Sequence, residues 1–523
     1  MVDTQAPEQV VPPTPMPKPK GIGAVGWLRW GWRQLTSMRT ALILLFLVAL
    51  ASIPGGLLPQ NGIAPDKVAA YRLAHKALAP WMDHLSLFDV FAAPWFVAIY
   101  VLLFISLAGC VLPRASLHYK TIRSRPPVAP RNLAKLPQHA SYETDQTPAE
   151  ALACAHAALK AKRFRADLRD GSVSAEKGYL GETGNLLFHL SMLVLLFAIG
   201  FGSVFGYKGN VLLTEGQGFS NNLTSYDAFT PGKAFSTDGL SPFTVQLDSF
   251  KATYIVSGAE AGQPTSFAAK IRYQATPSAP DTPYNLKVNS PLNLGGSQIY
   301  LLGHGYAPTF TVRDGKGNVA FQGSVPFLPL EEKTFTSEGV VKVPDAQPDQ
   351  LGFYAVFFPA AAPDSKTGQV VSVGPQAVNP VVSVVPFKGN LGLDSGTPQS
   401  VYKLEGLGTT LKPLSKAQGL SVGKTLTLPG GAGSITLDGY RQWVSLAINH
   451  DPGRIPALVS ALLAIFGVVV NFLVRRRRVW VRASAAEGGR TVVQVGGLTL
   501  GSATTEFDDV VASLQSTATK HEE

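Results

Sequence analysis

The 523-residue chain is 46% hydrophobic and 15% charged, with two cysteines and a formal net charge of +10. Its length would hold roughly two to four ordinary domains, but the apolar residues concentrate in four uncharged windows, residues 40–58, 94–112, 185–205 and 455–474, each long enough to cross a bilayer. That pattern excludes an ordinary soluble enzyme, and two thiols outside any C-x-x-C pair exclude a disulfide framework and dithiol redox chemistry.

Residues 1–20, MVDTQAPEQVVPPTPMPKPK, are too rich in proline and polar side chains to bury a core and predict a disordered tail. WLRWGWRQLTSMR follows, with tryptophans and arginines suited to a helix in the headgroup layer. VALAS in the first window resembles a signal-peptidase site, yet about 40 residues precede the apolar core, longer than a usual signal peptide has, which predicts an uncleaved first helix. The loop over 59–93 reads as one or two amphipathic helices on the membrane surface, carrying His75 and His84 as solvated side chains. After the second window comes a module over 113–183 that alternates a helix with short polar strands, a compact α/β unit, and GYLGETGN reads as turns leading into the third helix.

Residues 207–454 read as β throughout: short β-branched and aromatic runs such as FTVQLDSFKATYIV and GSITLDGYRQWVSLAI are broken by Gly, Pro, Asn and Asp. RDGKGN marks a hairpin turn, because Gly and Asn tolerate positive φ there. The stretch is long enough for one β domain or two. The fold class expected is an α-helical membrane protein with four transmembrane helices and a large extracytoplasmic all-β, sandwich-like domain. Its segments are 1–37, a tail and interfacial helix; 38–112, two spans; 113–183, the small module; 184–206, the third span; 207–454, the β domain; 455–474, the last span; and 475–523, a tail.

Lys and Arg near helix ends orient the chain. Lys18, Lys20, Arg29, Arg33 and Arg39 precede the first window; Arg114, Lys120, Arg123, Arg125, Arg131 and Lys135 follow the second; RRRR follows the fourth. All three clusters belong in the cytoplasm, with both termini. Residues 207–454 hold 18 Lys and Arg against 17 Asp and Glu, so the basic excess sets topology and meets anionic lipid, with no nucleic-acid partner implied.

The chemistry narrows by elimination. No G-x-S-x-G, phosphate loop, H-E-x-x-H or C-x-x-C-H occurs. His189 is the one residue among Asp, Glu, Lys, Arg and His within the four windows. Imidazole in hydrocarbon is costly, so it faces protein, water or a ligand. As the common axial ligand of haem iron it could hold a planar porphyrin; alternatively it makes a helix-to-helix hydrogen bond worth roughly 0.6 to 2 kcal/mol. Gly202 and Gly206 form a G-x-x-x-G that would admit another helix, from this chain or a partner.

Four stretches carry a likeness: LTSMRTALILLFLVALASIPGGLLPQ, KGYLGETGNLLFHLSMLVLLFAIG, VNSPLNLGGSQIYLLGHGYAP and NHDPGRIPALVSALLAIFG. In that order, with four spans, the chain resembles the ResB family, the membrane subunit of the System II machinery that attaches haem to c-type cytochromes. The resemblance implies that His189 is an axial ligand to haem b, bound transiently on its way outward. It also implies that a ResC-type membrane protein with a tryptophan-rich haem motif completes the synthase, since this chain has no such motif. Apocytochrome c would be the substrate, with a thioredoxin-like thiol reductant as a further partner. His450, where the family pattern leads one to expect a basic residue, is a second candidate haem contact or else an interfacial polar residue. Thioether formation would draw its sulfur from the apocytochrome, which accounts for a chain without redox cysteines. The competing reading is a non-catalytic membrane-anchored envelope scaffold or sensor.

Overall fold

The structure, a computed structural model, describes residues 23–62, 65–255, 258, 260, 262–366, 368–393, 403–404, 410–486, 489–499 and 505–519; the tail expected over 1–20 lies outside them. Among the described residues four helices are long and apolar enough to cross a membrane: Met38–Leu57, Pro94–Arg123, Leu180–Phe205 and Arg454–Leu473, here the first to fourth spans. The chain forms two compact units, Met1–Ile199 with Ile455–Glu523, and Gly200–Arg454.

In the first unit, helix Ala24–Leu35 leaves Trp27, Trp30 and Trp32 more than half exposed. The second span does not stop at its apolar window. It carries Pro113 inside and continues to Arg123, because hydropathy marks where hydrocarbon ends and not where backbone hydrogen bonding ends. The third span starts at Leu180, so GETGN, expected as turns, forms its first turns instead. Glycine serves close packing here: a Cβ on Gly184 would meet the backbone of Gly467 and Asn471, and one on Gly467 the backbone of Gly184 and Phe188. Between the first two spans, buried Gln60 donates to the Leu58 and Leu87 carbonyls, each at 3.1 Å, and accepts from the Val90 amide at 3.0 Å, which pins the loop.

Strands and a helix within the segment 475–523, expected as a tail, belong to a domain. The strands Arg477–Ala485 and Thr491–Thr499 occupy the middle of a five-stranded antiparallel sheet whose other members, Gln138–Thr144, Ser172–Lys177 and Arg165–Arg169, come from the expected small module. Helices Pro148–Ala161 and Thr505–Thr519 cover it, burying Leu159, Val173, Val481, Val493, Val495 and Val510. In VVQV the alternation leaves Val493 and Val495 buried and Gln494 exposed, a strand pattern with one buried face, whereas in VWVRA Val479, Trp480 and Val481 are all buried.

In the second unit, strands Ser297–Asp314 and Gly433–His450 pair along their whole length. One end of this ladder supplies Ile299, Leu301, Val444, Leu446 and Ile448 to a core closed by strands Thr244–Tyr254, Pro264–Gln274 and Thr282–Lys287. The other supplies Phe310, Val312, Ile435 and Leu437 to a second core under Ser337–Val343, Leu351–Phe358 and Val381–Gly389. A register shift between Leu301 and Gly303 separates the two. The expected hairpin forms at Asp314, whose carboxylate accepts the Lys316 and Asn318 amides at 2.9 Å, with Gly317 at φ +86°.

At the junction of the two cores, the His304 ring lies 4.7 to 4.9 Å from those of Phe250, Phe267 and Phe335. Burial drives its pKa down to about 4. The folded state therefore binds fewer protons than the unfolded one between about pH 6.5 and 4, so this group's stability is complete above 6.5 and lost as pH falls through that window, by about 3 kcal/mol at most. Thermal melts of the purified protein should show a smaller loss between pH 6.5 and 4 for His304→Phe than for wild type; identical losses would contradict the assignment.

Candidate functional site

A cavity of about 620 Å³ lies in the first unit, walled by the first three spans and by Arg476 and Arg478 after the fourth. Most of its wall is hydrocarbon, including Leu42, Leu45, Leu103, Leu107 and Leu196, and its charged end gathers Arg114, His118, Glu182, Arg476 and Arg478. Size and lining suit an apolar molecule with a polar edge.

His189 lies on the cavity wall, half buried. Its Nδ1 is 2.8 Å from the Asn185 carbonyl oxygen, one turn back on the same helix. A carbonyl only accepts, so Nδ1 carries the proton and donates; Nε2 is left with its lone pair and no hydrogen-bond partner among the described residues. Phe188 meets the ring edge to face at 5.0 Å. An imidazole whose Nδ1–H is fixed by a backbone carbonyl is oriented as metal-ligating histidines are.

The structure also brings in His118, which the sequence alone does not single out because it lies six residues past the apolar window. The R-x-x-x-H spacing of Arg114 and His118, one helical turn, is the signal that continues the second span. His118 Nε2 is hydrogen-bonded to Thr183 Oγ1 at 2.9 Å, while Nδ1 stands 3.6 Å from Glu182 Oε2, beyond hydrogen-bond reach. Both neighbours belong to the third span.

Beneath the cavity, Arg476 bonds the carboxylates of Glu176 and Glu182. Burial works against its charge, and the two carboxylates outweigh that, raising its pKa. Glu176, 1% exposed, also draws Arg165 to 3.7 Å and Arg478 to 3.8 Å. This cluster joins strand Ser172–Lys177 to the start of the third span.

His450 does not line the cavity. It belongs to the second unit, where Nδ1 donates to the Gly296 carbonyl at 3.0 Å and the ring stacks 5.4 Å from Tyr207. What stands nearest the G-x-x-x-G in this chain is loop and strand rather than helix: a Cβ on Gly202 would meet the Asp451 carboxylate and one on Gly206 the His450 carbonyl, both in the second unit. Cys110 donates to the Thr36 carbonyl at 2.7 Å, and no group of three or more His, Cys, Asp or Glu among the described residues could hold a bare metal ion.

Fold and cavity together define an integral membrane protein with a four-span anchor, one α/β domain built on its spans and one large β unit. The chain belongs to the ResB-like family, which matches residues 38–508. It is 27% identical over 276 residues to cytochrome c biogenesis protein CcsB of Synechococcus sp. (strain CC9902), covering 51% of this chain and 59% of that protein. It is 23% identical over 481 residues to the CcsB of Synechococcus sp. (strain CC9605), covering 88% and 91%. With the CcsB of Synechococcus sp. (strain RCC307) it shares 26% over 320 residues, 58% of this chain and 65% of that protein. The matches to strains CC9902 and RCC307 thus span less than two thirds of those relatives' lengths.

Proposed function

We propose that this chain is the haem-handling and scaffold subunit of a System II cytochrome c synthase, carrying haem b across the membrane for attachment to apocytochrome c with a ResC-type partner. The observation that carries the reading is His189: an imidazole of fixed tautomer, its Nε2 lone pair unclaimed, on the wall of an apolar cavity of about 620 Å³. The relatives' name, cytochrome c biogenesis protein, supports the same process. Haem supplies the vinyl groups to which the apocytochrome's own thiols add. The chain's part would be positional: Asn185 orients His189 through its carbonyl, His189 would give the haem iron one nitrogen ligand, the spans would exclude water, and a partner would supply a further ligand. The basic clusters support cytoplasmic termini, with haem taken up on that side and the β unit outside.

An absorbance spectrum of the protein purified with its partner tests the reading against that of a bare scaffold. A Soret band that fades in His189→Ala is expected; no haem in the wild-type complex would leave the scaffold reading standing.

Sidedness has its own test in a Cys110→Ala, Cys154→Ser background, which should assemble holocytochrome c normally because the reactive sulfur is the substrate's. There, Lys251→Cys should react with a membrane-impermeant maleimide in intact cells and Lys160→Cys only after lysis, both side chains being exposed. The reverse labelling, or lost assembly at unchanged protein level, would contradict the arrangement.

A further inference from the structure

The charged end of the cavity is overcharged for its own needs. Arg165, Arg476 and Arg478 stand around the Glu176 carboxylate, Arg476 also bonds Glu182, and Arg114 lines the same end, so four guanidiniums accompany two carboxylates, an excess of two positive charges. Arg476 is spoken for by both carboxylates, and Arg165 by Glu176 and the Ile122 carbonyl at 2.5 Å. Arg114 has a poor partner, the Met38 thioether sulfur at 2.9 Å, which is a weak acceptor. Arg478 has Glu176 at 3.8 Å, beyond hydrogen-bond reach, and its Nε has no hydrogen bond. Both line the cavity.

Two cations with spare donors at one end of an apolar chamber call for an amphiphile with two anionic groups at one edge. Resting on the haem reading above, we propose that Arg114 and Arg478 bind the two propionates of haem and so set its orientation, ring among the leucines and acidic edge toward the arginines. Glu182, which Arg476 bonds, lies seven residues before His189 on one helix, so the charged end of the cavity begins about 10 Å of rise from that imidazole. The planar fork of arginine also suits carboxylates, and each pair would form charge-assisted hydrogen bonds. Neither arginine touches iron, so both are positioning residues.

The test titrates the full-length protein, purified with its partner and freed of haem, with haem and with haem dimethyl ester, whose propionates are uncharged. Wild type should bind haem at least about tenfold more tightly than the ester, as one charge-assisted contact warrants. Arg114→Gln with Arg478→Gln should lower haem affinity by at least that factor, leave ester affinity unchanged and keep the same iron ligation spectrum; Arg114→Lys should recover part. Equal wild-type affinity for the two porphyrins would overturn the proposal while leaving the haem reading intact. So would a double variant that binds haem as wild type does, its arginines then facing lipid headgroups, or one that loses both porphyrins equally. Wild type binding neither porphyrin would sink the haem reading, and this inference with it.

Discussion

His189→Gly should insert, accumulate and retain its partner, yet carry no haem above background and assemble no cytochrome c; millimolar imidazole should restore part of both. The substitution removes one ring from the wall of a preformed cavity and leaves room for a free imidazole to coordinate iron. Glycine in a helix interior costs about 1 kcal/mol, which a 26-residue span packed on its neighbours tolerates. Because Asn185 offers only a backbone carbonyl, the variant leaves no polar side chain stranded. Full haem content in the glycine variant without imidazole would remove His189 as ligand.

Glu176→Gln should unfold the α/β domain's attachment to the spans. The carboxylate is 1% exposed and faces Arg476, Arg165 and Arg478. Removing its charge leaves like charges crowded around a buried amide, a loss on the order of 3–5 kcal/mol. A thermal midpoint lower by at least about 10 °C is expected for a domain of this size, with faster proteolysis of strand Arg477–Ala485. Glu143→Gln, which breaks an exposed pair to Arg490, is the control and should change little. Equal midpoints for the two variants would show that the buried cluster does not hold the domain.

The four spans were legible because a bilayer demands about 20 apolar residues in a row, a signal that survives without any tertiary information. His189 was legible for the same reason, as the one Asp, Glu, Lys, Arg or His in those windows. The hairpin at Asp314 could be read from local chemistry. What the sequence did not yield was placement across distance. RRRR reads as a topology signal, and that strong charge hid the strand beginning at Arg477; only pairing with Ser172–Lys177, some 300 residues away, makes it a sheet. Arg114 and His118 fell beyond a hydropathy boundary that the helix ignores. The glycines of GETGN look like turn residues until Gly467 is seen against Gly184. The two cores of the β unit share one ladder, so no composition shift marks where the first ends and the second begins.

Direct coordination by the side chain at position 189 is the central claim, and His189→Cys tests it most directly. A thiolate bound to haem iron changes the Soret position and the electron paramagnetic resonance of the ferric complex in ways that imidazole does not. The account predicts that the cysteine variant, purified with its partner, binds haem with a thiolate spectrum. A variant that retains haem with the wild-type spectrum would contradict it, because the iron would then have its ligands elsewhere.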